Sequence, residues 1–291
     1  MRYDIRLTLG CSYGAPSDHA RMVARILPSS IPGRQTVVSR LLGVLPRPSE
    51  CRETTDFFGN AMTVMAFHAP IEQVELTLTA QVEQLPPRPG LDLSPDLPGL
   101  AAEIGAQRSL GPTAPLHHVG PSPRITADPA ITDFASDMAR PGMTALQVVT
   151  AVGEALHAHM RFDAGATDVD TPPSEAFANR HGVCQDFSQV MIAALRSLGI
   201  PAGYVSGFLR TVPPEGQPRL EGADAMHAWV SAWCGTELGW IEYDPTNACL
   251  VGADHVVVAR GRDYSDASPI KGALRTSGGQ HCHHEVDVIP L

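Results

Sequence analysis

The chain has 291 residues, a formal net charge of -10 and a sequence pI near 5.6. Apolar residues make up 43% and charged residues 18%, a globular composition with room for one large domain or two ordinary ones. No run of Lys or Arg marks a phosphate-binding surface, and no stretch of about 18 apolar residues occurs, so neither nucleic acid nor a membrane is an expected partner. The N-terminal "MRYDIRLTLG" alternates polar residues where a signal peptide would carry an apolar core, so a cytoplasmic location is expected. The six cysteines (Cys11, Cys51, Cys184, Cys234, Cys249 and Cys282) are then expected to be reduced. None forms a CxxC pair, which argues against a zinc ribbon or a redox pair.

In chain order, "MRYDIRLTLGCSY" alternates like a strand, with Tyr3, Ile5, Leu7 and Leu9 on one face. "TVVSRLLGVLP", "NAMTVMAFHAP" and "QVELTLTAQVEQL" read as further strands separated by Pro-, Gly- and Asp-rich turns. This predicts an antiparallel β-sandwich over 1–85. Residues 86–125 are rich in Pro and Gly and read as a connector or arm, with a short helix near 98–108. From 126 to 291 the pattern is helices first, then strands.

"ALQVVTAVGEALHAHMRF" (145–162) has the apolar spacing of an amphipathic helix. A shorter helix is expected over 174–180, capped by Ser174. A third runs over about 184–198, ended by Gly199 in the left-handed region and by Pro201. "AGYVSGFL" reads as a strand and 210–224 as a polar loop. "HAWVSAWC" and "GWIEYDPT" form a hairpin turned at 235–239, and "DHVVVA" and "HEVDVIPL" are later strands. The whole is an α+β pattern.

Within this pattern Cys184 falls at the first turn of the third helix. Unpaired backbone N–H groups and the helix dipole there favour a thiolate, and the same N–H groups can hold an oxyanion. A nucleophilic thiol also needs a base, and the base an orienting partner. His227, at the start of one hairpin strand, is the candidate base. Asp244, ending the other strand before Pro245, is the candidate orienter. The predicted hairpin brings the two to one end of the sheet. Gly182 is expected to leave the sulfur uncovered.

The blocks "GVCQDFSQVMIAALRSLGIPAGYVSGFL", "DAMHAWVSAW" and "GWIEYDPTNA" together resemble the transglutaminase-like superfamily, bacterial branch. "DHVVVARGRDYSDASPIKG" resembles the tail of that branch, and "RQTVVSRLLGVLPRP" with "TDFFGN" resembles the β-rich domain that precedes its core. The resemblance implies a papain-like α+β core, with Cys184 as nucleophile, His227 as general base and acid, and Asp244 as orienter. It implies acyl transfer through a thioester, on a peptide or protein amide, with no cofactor.

Animal cross-linking members carry a tryptophan directly after the nucleophile, where this chain has Gln185, so hydrolysis is the preferred outcome. Amine transfer to glutamine side chains and a non-catalytic scaffold are the alternatives. The three Asp of "DAGATDVD" (163–170) lack the EF-hand spacing, so no calcium site is expected.

Other side chains have simpler readings. Gln185, Asp224 and Trp229 are secondary candidates for the cleft, Gln185 as an oxyanion donor. Asp186, in the first helical turn, is read as structural. The tail "HCHHE" (281–285) alternates faces in a strand, with His281, His283 and Glu285 opposite Cys282 and His284, so no metal site is assigned. Cys11, Cys51, Cys234 and Cys249 are read as filler.

Overall fold

The computed structural model describes residues 1–85, 90–211, 224–275 and 279–291. The fold is α+β, with antiparallel sheets and one cluster of helices. The N-terminal part holds β1 (Arg2–Ala24), β2 (Gln35–Leu45), β3 (Glu50–Thr55), β4 (Ala61–Phe67) and β5 (Ile71–Gln84). Next come α1 (Leu97–Ala106), α2 (Pro129–Met138), α3 (Ala145–His159), β6 (Arg161–Phe162), α4 (Pro173–Asn179), β7 (His181–Gly182) and α5 (Cys184–Ser197). The remaining elements are β8 (Ala202–Leu209), β9 (Ala225–Trp233), β10 (Trp240–Asp244), β11 (Cys249–Leu250), β12 (His255–Gly261), α6 (Tyr264–Ala267), β13 (Ile270–Arg275) and β14 (Gln280–Pro290).

Strand β1 is longer than its sequence pattern implies. Its first half pairs with β5 and β14, and its second half with β4 and β13. Between the halves the register slips from Ser12 to Ser17, around Gly14, Ala15 and Pro16. A bulge of this kind bends a strand and re-aims it, and here it ends the alternation that marks the first half. The inward side chains Tyr3, Ile5, Leu7 and Leu9 are buried, as their alternation predicts. The last strand, β14, returns to pair with β1 from Tyr3↔Pro290 to Tyr13↔Gln280, so this sheet takes strands from both ends of the chain.

The second sheet has the order β11-β10-β9-β8-β12 and lies against α5. Helix α5 is buried along nearly its whole length, its polar side chains included. Several of those are satisfied within the helix or by carbonyls of neighbouring segments, whereas the Gln189 amide and Asp186 Oδ1 are buried without a partner among the described residues. Ser188 donates to the Cys184 carbonyl, and Arg196 donates to the carbonyls of Ala202, Gly120 and Arg262. The guanidinium thus ties three connections to one helix, although burial lowers its pKa to about 10.

Helix α2 escaped the sequence reading. Its signal is Asp128, whose carboxylate accepts from the Ile131 N–H, followed by Pro129 at the first helical position. The cap expected from Ser174 is absent, because α4 starts at Pro173 with Pro172 at its N-cap. Gly199 does end α5 in the left-handed region, with φ of 79°. Residues 86–89 of the arm lie outside the described residues. The arm meets the core around 113–118, where Trp240 Nε1 donates to the Thr113 carbonyl and His118 stacks edge-on against the Trp240 ring.

Candidate functional site

The hairpin β9–β10 is the frame. Its turn closes with the Cys234 N–H on the Gly239 carbonyl and the Gly239 N–H on the Gly235 carbonyl, both at 2.8 Å. Antiparallel pairing from Trp240↔Trp233 to Tyr243↔Val230 brings His227 and Asp244 to its far end. His227 Nε2 donates to Asp244 Oδ2 at 2.7 Å, with both side chains buried. The other ring nitrogen, Nδ1, is left for Cys184, which acts on the imidazole as a hydrogen-bonding and charge partner. Helix α5 starts at Cys184, and the residue is half-buried. The structure thus brings Cys184, His227 and Asp244 together.

Burial alone would depress the His227 pKa. The hydrogen bond to Asp244 and the neighbouring Cys184 outweigh it and raise the value to about 10. For Asp244, burial would raise the carboxyl pKa, but hydrogen bonds from His227 and His255 hold it far below the ordinary carboxylate range. The carboxylate is densely held. Oδ1 accepts from the N–H groups of Thr246 and Asn247, and Oδ2 also accepts from Asn247 Nδ2 at 2.7 Å and from His255 Nε2 at 3.1 Å. One side chain therefore holds both the turn that follows it and the His227 imidazole.

His255 and Asn247 were not singled out from the sequence. Asn247 follows Asp244 in "DPTN", whereas His255 opens a strand on the far side of the sheet, where only the fold brings it near. Ligand-type atoms of His227, Asp244 and His255 lie within 4.8 Å of one another. Their mutual hydrogen bonds already account for that closeness.

The N-terminus of α5 is fixed by Asp186. Its Oδ2 accepts from the Val183 N–H at 2.8 Å and from Thr167 Oγ1 at 2.6 Å. Asp186 is structural, as expected. Gly182 has a different reason from the one expected. A Cβ there would lie 2.6 Å from Asp186 Oδ2 and 2.7 Å from its Cβ, so the glycine makes room for the carboxylate that caps the helix. The first-turn N–H groups of Cys184 and Gln185 have no acceptor within the helix, by its geometry.

The secondary candidates are placed differently. Gln185 lines the cleft at Cys184, but its amide donates to the Val169 carbonyl at 3.1 Å and holds the 163–170 loop. Trp229 is fully buried behind His227 and donates from Nε1 to Glu242. Glu242 in turn pairs with Arg260 and with Arg34 from the N-terminal part. Burial would raise the Glu242 pKa, but the two arginines bring it down to about 2. Trp229 is therefore a support for the histidine and not a cleft wall. Asp224 is also a support. It is buried and accepts from Thr211 and from the Val288 N–H at 2.6 Å, joining the start of β9 to β14. Of the polar loop read over 210–224, residues 212–223 lie outside the described residues.

The cleft at Cys184 has a volume of about 490 Å³. One wall comes from the helical region and the sheet of the core, through Phe162, Tyr204 and Met226. The other comes from the N-terminal sheet, through Leu9 of β1 and Cys282, His283 and His284 of β14. Burial, and then the charge at Cys184, keeps the Tyr204 phenol pKa well above its ordinary value.

The cysteines need one correction. Cys11 and Cys282 face each other in the β1–β14 register and are joined as a disulfide. Neither is reduced, and Cys11 is not filler. The pairing was hidden because the two lie 271 residues apart and meet only when the last strand returns to the first.

Residues 132–245 match the transglutaminase-like superfamily, and residues 3–83 match the bacterial transglutaminase-like N-terminal region. The chain is 36% identical over 265 residues to the uncharacterised protein Rv2569c of Mycobacterium tuberculosis, covering 89% of this chain and 83% of that protein. It is 30% identical over 287 residues to the uncharacterised protein ML0607 of Mycobacterium leprae, covering 97% and 96%. A crystal structure of a candidate cysteine protease from Cytophaga hutchinsonii shares the fold, with a TM-score of 0.74 and 19% identity over 100% of this chain and 92% of that one. The chain belongs to the transglutaminase-like superfamily, with the N-terminal region of its bacterial members ahead of the core.

Proposed function

We propose that the protein is a cysteine hydrolase of amide bonds in peptides or proteins, with Cys184 as nucleophile, His227 as general base and acid, and Asp244 as orienter. The observation that carries this reading is the 2.7 Å bond from His227 Nε2 to Asp244, which directs Nδ1 to a cysteine at a helix N-terminus.

The Cys184 thiolate attacks the amide carbonyl carbon, and a C–S bond forms as the carbonyl π pair moves to oxygen. The first-turn N–H groups of α5 stabilise that oxyanion. The oxyanion collapses, the C–N bond breaks, and the Nδ1 proton of His227 goes to the departing amine. His227 then takes a proton from water as the water attacks the thioester. The C–S bond breaks, the acid is released, and the proton returns to the Cys184–His227 pair. Asp244 takes no proton at any step; its hydrogen bonds keep it ionised and fix the ring.

Incubation with a peptide library tests this. New carboxyl termini are expected with the wild-type protein and none with Cys184→Ala. Stable incorporation of a primary-amine probe in place of hydrolysis would favour amine transfer. Retention of all activity in Cys184→Ala would remove the reading. The cytoplasmic location is also a proposal, and the Cys11–Cys282 disulfide, a bond rare in the cytosol, weighs against it.

A further inference from the structure

We infer that the acyl group delivered to Cys184 carries an uncharged, apolar side chain, aliphatic or aromatic. This rests on the reading of Cys184 as the nucleophile. Among the described residues, none that lines the cleft is Asp, Glu, Lys or Arg. Leu9, Phe162, Met226 and Ile270 face it from different elements, with Tyr204 and Tyr264 between them. Gln185, the one side-chain amide there, is spent on the Val169 carbonyl. A charged substrate side chain would lose its water and meet only the imidazoles of His283 and His284, with burial holding His284 toward its neutral form, which is costly. An apolar one gains by covering these walls. Phe162, 56% exposed at the edge of the cleft, is a large apolar side chain with no cover of its own. The volume of about 490 Å³ suits one or two such side chains.

The test compares three iodoacetamides that differ in the nitrogen substituent: benzyl, carboxymethyl and trimethylammonioethyl. Cys184 displaces iodide from each, and rates are divided by those for free cysteine. The benzyl reagent is expected to modify Cys184 about tenfold faster than either charged one. Phe162→Lys, at an exposed position, is expected to raise the carboxymethyl rate relative to benzyl. Equal normalised rates, or a charged reagent in the lead, overturn the inference and leave the nucleophile intact. Failure of every reagent to label Cys184 faster than Cys51 removes the nucleophile reading, and the inference with it.

A separate observation assigns His255 as a positioning residue. Its Nδ1 accepts from the Gly252 N–H at 3.4 Å, so the geometry points to the ring proton on Nε2, which donates to Asp244 Oδ2 at 3.1 Å. The ring is buried and packs edge-on against Trp229, with centroids 5.2 Å apart. His255 therefore holds the same Asp244 oxygen as His227 and keeps that oxygen in line with the His227 ring. His255→Phe keeps the ring and removes the donor, whereas His255→Gln keeps a donor. The rate of Cys184 alkylation is expected to fall about tenfold in Phe and to be largely retained in Gln. The His227 Nε2 proton resonance is expected to move in Phe alone. Equal losses in both variants, or no change in either, overturn the assignment. In the wild-type protein, nitrogen NMR showing the His255 proton on Nδ1 overturns it without any variant.

Discussion

Asp244 Oδ2 is shared: His227 Nε2 donates to it at 2.7 Å and Asn247 Nδ2 at 2.7 Å. The carboxylate is locked from the turn that follows it, so the imidazole it holds has one orientation. Asp244→Asn places an amide where the ring needs an acceptor and favours the wrong tautomer. Hydrolysis is expected to fall by about 10³–10⁴ with little change in fold. Steady-state kinetics beside circular dichroism checks it.

The same pair sets a pH window for stability. The His227 pKa is raised to about 10, so its contribution is complete below its ordinary value near 6.5 and fades as pH rises toward 10. The Asp244 pKa is depressed, so its contribution is present above the ordinary carboxylate value and is lost as pH falls through its lower folded value. Both operate together near pH 5–6. The stability advantage of wild type over His227→Gln, from urea midpoints, is expected to be largest near pH 6 and to shrink by pH 10. An advantage that grows with pH would contradict the assignment.

Glu242 joins three elements, through Arg34, Arg260 and the Trp229 indole. Its carboxylate is buried, while the two arginine side chains are 27% and 34% exposed and can turn to water. Glu242→Ala is therefore expected to cost about 3 kcal/mol, the lower end for breaking a buried pair. Denaturant titration measures it. The loss is expected to reach His227 through Trp229 and to slow Cys184 alkylation as well.

The disulfide predicts a thiol count. Cys51, Cys184, Cys234 and Cys249 are the free cysteines, so an unreduced, denatured sample should titrate four thiols and a reduced one six. Reduction is expected to destabilise the protein by about 2–5 kcal/mol, by releasing a cross-link between the two ends of the chain. Six thiols before reduction would show that the bond does not form in solution.

Much of the core was legible because its signals are local. Strand β8 and the left-handed stop at Gly199 follow from apolar runs and turn residues. The approach of His227 to Asp244 follows from a hairpin with one short turn. What escaped the sequence depends on distant partners. The return of β14 to β1, the Cys11–Cys282 bond and the arrival of His255 at Asp244 each join segments that no local period connects. Arg196 on α5 was not singled out for a similar reason: its role shows only when its partners, the carbonyls of Gly120, Ala202 and Arg262, are in place.

The most direct measurement is alkylation of Cys184 by iodoacetamide at pH 6, followed by mass spectrometry, with exposed Cys51 in the same molecule as the internal standard. The account predicts that Cys184 reacts much faster than Cys51, and that His227→Ala abolishes the difference while leaving Cys51 unchanged. Equal rates at the two cysteines, or a fast Cys184 that survives His227→Ala, would contradict it.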